Sequence, residues 1–235
     1  MKIAIIGAME EEILLLQSQL DGAQSIKVNH LNIHHGFVGN DSGGKHEIFL
    51  VQSGIGKVAS ALATTILIHK YSADLLINTG SAGGFDPDLS IGDIVIATSL
   101  MYHDVDVSHF GYERGQVPSM PKEYLTDEHA SEVARQCASK LEGIQTRSGL
   151  ICSGDSFIGS DEAAQDIRSA FEQMKAVEME GASIAQACFM LETPCVVIRS
   201  LSDIAGKTST VSFESYLEKA AKNSANLVLE TIKAL

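Results

Sequence analysis

The sequence predicts an α/β fold in a single domain covering residues 1–235. Short apolar runs bounded by glycine alternate with longer amphipathic stretches, the pattern of strands and helices built around one core. At 235 residues the chain fits one large α/β domain, and no linker divides it. Hydrophobic residues make up 45% and charged residues 20% of the chain, enough apolar material for a sizeable interior.

Residues 2–6 read as a buried strand, and Ile13, Leu14, Leu16, Gln17 and Leu20 follow at near-helical spacing. Residues 26–38 and 46–52 read as strands of a meander, with Asp41-Ser42-Gly43-Gly44 as a turn. Residues 58–69, rich in Ala, Leu and Ile, suit a helix packed on a sheet. Residues 74–78 return as a strand ending at Gly80-Ser81-Ala82-Gly83-Gly84, and residues 94–97 form another. Residues 102–121 are the longest irregular stretch, stopped by Pro118 and Pro121. A helix over 128–141 and strands at 149–152 and 176–179 come next, the last feeding a helix over 180–191. A final apolar strand at 195–199 precedes a closing helix over 213–235. In such folds the strand ends and the loops after them collect functional groups.

A formal net charge of −13 argues against nucleic acid, which is held by clustered Lys and Arg, and against an anionic membrane surface. A small, largely uncharged substrate is compatible with it. Cys137, Cys152, Cys188 and Cys195 show no zinc-type pairing, so reduced thiols and no metal are expected. The N-terminus turns acidic too early for a signal peptide, and no run approaches the roughly 20 apolar residues that span a bilayer. The expected location is the cytoplasm, without membrane contact.

The motifs have ordinary as well as functional readings. Gly7-Ala8-Met9-Glu10-Glu11-Glu12 occupies the place of a nucleotide-binding glycine turn, but its spacing is wrong and its carboxylates would repel a pyrophosphate. Complementing a helix N-terminus is the ordinary role for these acids, preferred for Glu10 and Glu11. Ser53-Gly54-Ile55-Gly56-Lys57 first reads as a tight strand-to-helix turn. Three glycines within five residues at 80–84 exceed what a turn needs and would let the backbone approach a ligand. His103, Asp104, Asp106 and His109 have metal-like spacing, but in an irregular loop they read as surface or interface groups. Glu178 and Glu180, two apart at a strand end, point to the same side, and burying two like charges together has no structural rationale of its own. Residues 197–203 are the matching case, an apolar strand ending in Arg199, Ser202 and Asp203, where Asp203 also reads as a simple helix cap.

Taken in order, residues 7–12, 53–57, 78–84, 177–181 and 202–203 resemble the 5′-methylthioadenosine/S-adenosylhomocysteine nucleosidases, bacterial members of the purine nucleoside phosphorylase superfamily. The resemblance covers essentially the whole chain, and Ser153-Gly154-Asp155-Ser156-Phe157-Ile158 falls where that family binds the base. It implies a mixed, barrel-like twisted sheet flanked by helices, a homodimer, and no cofactor. It further implies that Glu12 orients and deprotonates the attacking water with help from Ser81 and Arg199, while Glu180 accepts from the ribose hydroxyls beside the Met179 backbone. Asp203, supported by Ser202, becomes the acid for adenine N7. Phe157 stacks on the purine, and the Ile158 backbone reads its Watson–Crick edge. Met9, Ile55 and Phe213 form the 5′-alkylthio pocket, to which a partner subunit lends Phe110, Tyr112 and Pro118. Gly181 stands where relatives often carry Ala.

The chemistry agrees with these residue types. Adenine departs poorly as an anion, so an acid at N7 lowers the barrier. Carboxylates stabilise the oxocarbenium ion that develops, and a base helps water capture it. Acid and base must hold different protonation states at one pH, which requires different surroundings for Glu12 and Asp203. A phosphorylase of the same fold would bind a dianion, normally with Arg near the first glycine turn; three Glu stand there instead, so hydrolysis is expected. The alternatives are another nucleosidase or a phosphorylase of this fold, a nucleoside-binding module without turnover, and, more remotely, a dinucleotide-dependent oxidoreductase.

Overall fold

The computed structural model describes residues 1–206 and 209–235, with backbone alone at 209–212. In chain order the elements are β1 (Lys2–Gly7), α1 (Glu10–Ser18), β2 (Asp21–Val28), β3 (Leu31–Gly39), β4 (Lys45–Gln52), α2 (Lys57–Tyr71), β5 (Leu75–Gly84) and β6 (Ile94–Tyr102). A single 3₁₀ turn at Ser108–Phe110 interrupts the irregular stretch. There follow β7 (Tyr124–Leu125), α3 (Glu128–Ala138), β8 (Thr146–Ser153), α4 (Asp161–Ala170), β9 (Met174–Glu178), α5 (Gly181–Met190), β10 (Cys195–Ile204) and α6 (Ser209–Ala234).

Strands β10, β6, β8, β9 and β5 pair in that order, and β10 pairs again with β5, closing a five-stranded barrel. Its pairings are mixed: β10–β5, β6–β8 and β8–β9 are parallel, β10–β6 and β5–β9 antiparallel. β1 lies parallel to β5 outside the ring and continues the sheet through β4, β3 and β2. Alternation along β1 shows why helices cover both faces. Ile3 and Ile5 pack with residues of α1, α3 and α6, whereas Ala4 and Ile6 pack with residues of α2 and α5.

The expected elements are present, with their ends displaced for physical reasons. Residues 26–38 divide into two strands because Asn29 adopts φ 55°, a left-handed conformation that asparagine tolerates. The 41–44 turn stands as expected, with Gly43 at φ 81° and Gly44 N donating to Asn40 Oδ1 at 2.8 Å. Strands β5, β6, β8 and β10 all outrun the apolar segments that signalled them. Barrel pairing extends them through polar residues such as Ser81, Ser200 and Asp203. The glycine-rich stretch 80–84 is therefore strand, not a turn, and Asp203 belongs to β10 rather than capping a helix. Helix α4, absent from the sequence reading, starts at a Ser160 cap whose side chain accepts from Ala163 N.

Candidate active site

A cavity of about 390 Å³ opens where β1, β5, β9 and β10 end near the starts of α1, α5 and α6. Glu12, Ser81, Glu180, Arg199 and Asp203 all face it, drawn together from four separate stretches of the chain.

Glu12 is buried in the first turn of α1 and lines the cavity. One carboxylate oxygen, Oε2, accepts from Ala8 N at 2.7 Å and Met9 N at 3.2 Å, closing the helix start. The other, Oε1, accepts from Ser81 N at 2.9 Å and Ser81 Oγ at 3.0 Å. Four donors fix the group, a set that suits an acceptor-only carboxylate. Glu10 and Glu11 are exposed, in line with their ordinary role. Gly80 makes the approach possible: a Cβ there would lie 2.5 Å from both Glu12 Oε1 and Arg199 Nη1. Gly80 thus makes room for the side chains of Glu12 and Arg199.

Glu178 and Glu180 do converge, and the cation between them is Arg199. Its guanidinium is 1% exposed, bonds to Glu178, and lies 3.4 Å from Glu180 Oε2. Nη2 also donates to Asn78 Oδ1 at 2.6 Å, and Nη1 to Ser81 O at 3.3 Å. Glu178 accepts from Ser153 Oγ and from the N–H groups of Glu180, at 3.0 Å, and Gly181, at 2.8 Å. It anchors the start of α5 and neutralises the arginine, so the like-charge cost is offset by pairing. Glu180 accepts from Gly56 N at 2.9 Å through Oε1, while Oε2 faces Arg199. Burial pushes Glu180 up to about 7, with Arg199 opposing and Glu178 adding to the shift.

Asp203 owes its position to a bulge. The β10–β5 register slips between Leu201, opposite Ala82, and Asp203, opposite Gly83, leaving Ser202 as the extra residue. Ser202 Oγ donates to Asp203 Oδ1 at 2.9 Å, and a Cβ at Gly83 would lie 3.2 Å from Asp203 Oδ2. Ser81 and Gly83 share one face of β5, so Glu12 and Asp203 attach to points one two-residue repeat apart, roughly 6.5–7 Å.

Apolar groups line the rest. Met9, Ile55 and Phe213 face the cavity along with Phe157 and Met179, and Phe157 meets Phe213 edge-on with ring centroids 5.8 Å apart. Ile158 is buried beside an adjoining 30 Å³ recess that shares Phe157, Met179 and Asp203 with the main cavity, and its carbonyl accepts from Gly206 N at 3.3 Å. Phe110, Tyr112 and Pro118 stand apart from this cavity, with Phe110 80% exposed. Sequence reasoning singled out residues 78–84 and the Glu178/Glu180 pair but did not name the partners of Asn78, Gly80, Gly83 and Glu178, which lie far along the chain. Glu214, at the start of α6, also lines the cavity and went unremarked.

Of the metal-like set, Asp104 pairs with Lys57 at 2.7 Å, Asp106 accepts from Ser108 N at 3.0 Å, and His103 is buried. Among the described residues no group of three or more His, Cys, Asp or Glu is placed to hold a metal ion, and no helix is long and apolar enough to cross a membrane. The four cysteines are buried and free. At Gly181 a Cβ would lie 2.6 Å from Leu100 Cδ2, so this chain's glycine fits its own surroundings.

Residues 2–233 match the family model described as the phosphorylase superfamily. A relative from Tolumonas auensis, named 5′-methylthioadenosine/S-adenosylhomocysteine nucleosidase, is 46% identical over 235 residues, covering 100% of both chains. Among solved structures, the nucleosidase of that name from Colwellia psychrerythraea, in complex with adenine, superposes with a TM-score of 0.95 at 47% identity, over 100% of this chain and 97% of that one. The Neisseria meningitidis nucleosidase, in complex with methylthio-immucillin-A, gives 0.94 at 44% identity, over 100% and 99%.

Proposed function

Because the chain belongs to the phosphorylase superfamily, and within it to the 5′-methylthioadenosine/S-adenosylhomocysteine nucleosidases, we propose that its cavity hydrolyses the N-glycosidic bond of adenine nucleosides bearing a 5′ thioether. The products are adenine and a 5-thio-substituted ribose. The observation that carries this reading is the placement of Glu12 and Asp203 on one cavity, anchored one strand repeat apart on β5.

The contacts on the cavity wall support the following steps. The purine enters against Phe157, and Asp203, braced by Ser202, gives its proton to N7 so that adenine leaves neutral. Positive charge grows on the ribose near Glu12 and Glu180, which stabilise it. Glu180 accepts from the ribose hydroxyls, held in place by Gly56 N and Arg199. Glu12, fixed by Ser81 and the first turn of α1, orients a water and takes its proton as the water attacks. Met9, Ile55 and Phe213 supply an apolar wall for the alkylthio group.

Water, not phosphate, is the nucleophile for an electrostatic reason. Among the described residues lining the cavity Arg199 is the one cation, and it already serves Glu178 and Glu180. A dianion would meet Glu12 without a free positive partner. Assaying adenine release from methylthioadenosine with and without phosphate tests the reading. Release without phosphate is expected; strict phosphate dependence with methylthioribose 1-phosphate as product would overturn it.

Pairing of two chains completes the proposal. Val58 and Leu62 on α2 and Phe189 and Met190 on α5, all exposed, supply an apolar surface suited to a second copy. The exposed Phe110, with Tyr112 and Pro118 nearby, would then close the neighbour's 5′ pocket.

A further inference from the structure

Helix α2 begins at Gly56, which has no side chain to cap it, yet its first N–H groups are satisfied by carboxylates from far along the chain. Gly56 N donates to Glu180 Oε1 at 2.9 Å, and the next group, Lys57 N, donates to Asp155 Oδ1 at 2.8 Å. Asp155 lies two residues before Phe157, on the segment that follows β8. One turn of chain therefore holds the acceptor proposed for the ribose and the loop proposed for the base.

The link is reinforced from outside. Lys57 Nζ binds Asp104 Oδ2 at 2.7 Å and lies 3.9 Å from Asp155 Oδ2. Asp155 N donates to that same Asp104 oxygen at 2.9 Å. Lys57 also sits over the Tyr102 ring, 5.4 Å from its centroid, while Tyr102 OH donates to Gln186 Oε1 on α5 at 2.6 Å. Partial burial would raise Asp104, but the Lys57 ammonium and the Asp155 N–H hold it below the usual carboxylate range. Space is limiting as well, since a Cβ at Gly56, where φ is 96°, would lie 2.8 Å from Asp155 Oδ1. None of these groups lines the cavity, whereas Ile55 and Phe157, each adjacent to the latch in sequence, do.

We propose that Asp155, held by Lys57 and Asp104, is a positioning residue: it pins the loop carrying Phe157 and Ile158 to the start of α2, and so fixes both the mouth of the cavity and the Gly56 N–H that orients Glu180. The latch acts on binding and on ribose orientation rather than on proton transfer. It rests on the assignment of Glu180 and Phe157 to the nucleoside given above. Because Asp155 is 48% exposed, its removal is felt as a moderate effect of about three- to tenfold.

The test is a cycle of Asp155→Ala, Asp155→Asn, Lys57→Met and the double variant D155A/K57M. KM, kcat and the pH profile of adenine release are measured, together with calorimetric binding of a non-hydrolysable 5′-methylthio adenine nucleoside analogue. D155A should raise KM and weaken analogue binding three- to tenfold, with a smaller change in kcat. D155N, which keeps an acceptor for Lys57 N, should recover part of the loss. The acid limb of kcat/KM should move to higher pH in D155A, because Glu180, faced by Arg199, Glu178 and Glu12, loses the Gly56 N–H that favours its charged form. The double variant should be little worse than D155A. Wild-type KM, analogue binding and acid limb in D155A, or effects that multiply in the double variant, would overturn the proposal. A parent enzyme that binds the analogue but releases no adenine refutes the hydrolytic reading instead, while analogue binding in D155A still decides the latch.

Discussion

Glu12 and Ser81, 69 residues apart, are joined twice at one oxygen: the Ser81 backbone N–H and hydroxyl both donate to Glu12 Oε1, at 2.9 and 3.0 Å. Ser81→Ala removes one of those donors and leaves the other. The carboxylate should keep its place but lose directional control, lowering kcat roughly three- to tenfold, the worth of one buried hydrogen bond. Steady-state kinetics on methylthioadenosine check this, with KM expected to change less than kcat.

Arg199 separates two buried carboxylates. Arg199→Met fills similar space without the charge, leaving Glu178 and Glu180 to repel each other in the interior. Breaking a buried pair in this way costs about 3–5 kcal/mol. Chemical denaturation should register that loss, accompanied by loss of turnover.

Glu180 links pH to both stability and binding. Burial raises its value from 4.5 to about 7 in the folded chain, so between those values the folded protein binds more protons than the unfolded chain. Its contribution to stability is therefore present below the unfolded value and lost as pH rises through about 7. In the proposed complex the ribose hydroxyl donates to the ionised form, so nucleoside binding has the opposite sign and should be roughly tenfold tighter at pH 8 than at pH 6. Glu180→Gln should flatten both trends. Thermal melting and analogue titration across that range measure them.

The proposed dimer makes a concentration-dependent claim. If Phe110 and Tyr112 close the neighbouring cavity, dilution into the monomer range should lower activity, and Phe110→Ala should raise KM several-fold without destabilising the fold, since Phe110 is 80% exposed. Sedimentation run alongside kinetics shows whether assembly and activity fall together.

The alternation of apolar runs and helices was readable from sequence because burial on both sheet faces imposes it, as Ile3, Ala4, Ile5 and Ile6 show. Strand ends were not, because apolar content stops where the cavity begins. Asp203 and Ser81 lie in strands whose pairing, rather than hydrophobicity, holds them extended. The principal acids, Glu12, Glu180 and Asp203, stood out through the ordered motifs. Glu178 carried the same local signal as Glu180, and only the fold reveals that it braces Arg199 and the start of α5 while Glu180 accepts from Gly56 N. Gly80 and Gly83 were visible as an excess of glycine, but their purpose depends on Glu12, Arg199 and Asp203 arriving from elsewhere. Helix α4 was missed because its apolar face is narrow, with Ala164 and Ile167 as its buried residues.

In the proposed reaction Glu12 and Asp203 have opposite proton duties on one nucleoside, and changing the leaving group separates them most directly. From a p-nitrophenyl 5-methylthioriboside the leaving group, p-nitrophenolate, departs without help from an acid, yet the ribosyl cation left behind still needs an activated water. Asp203→Asn should lose about 10²–10⁴-fold in adenine release but regain most activity on the p-nitrophenyl substrate, whereas Glu12→Gln should stay impaired on both. Equal impairment of D203N on the two substrates, or rescue of E12Q by the better leaving group, would contradict the assignment.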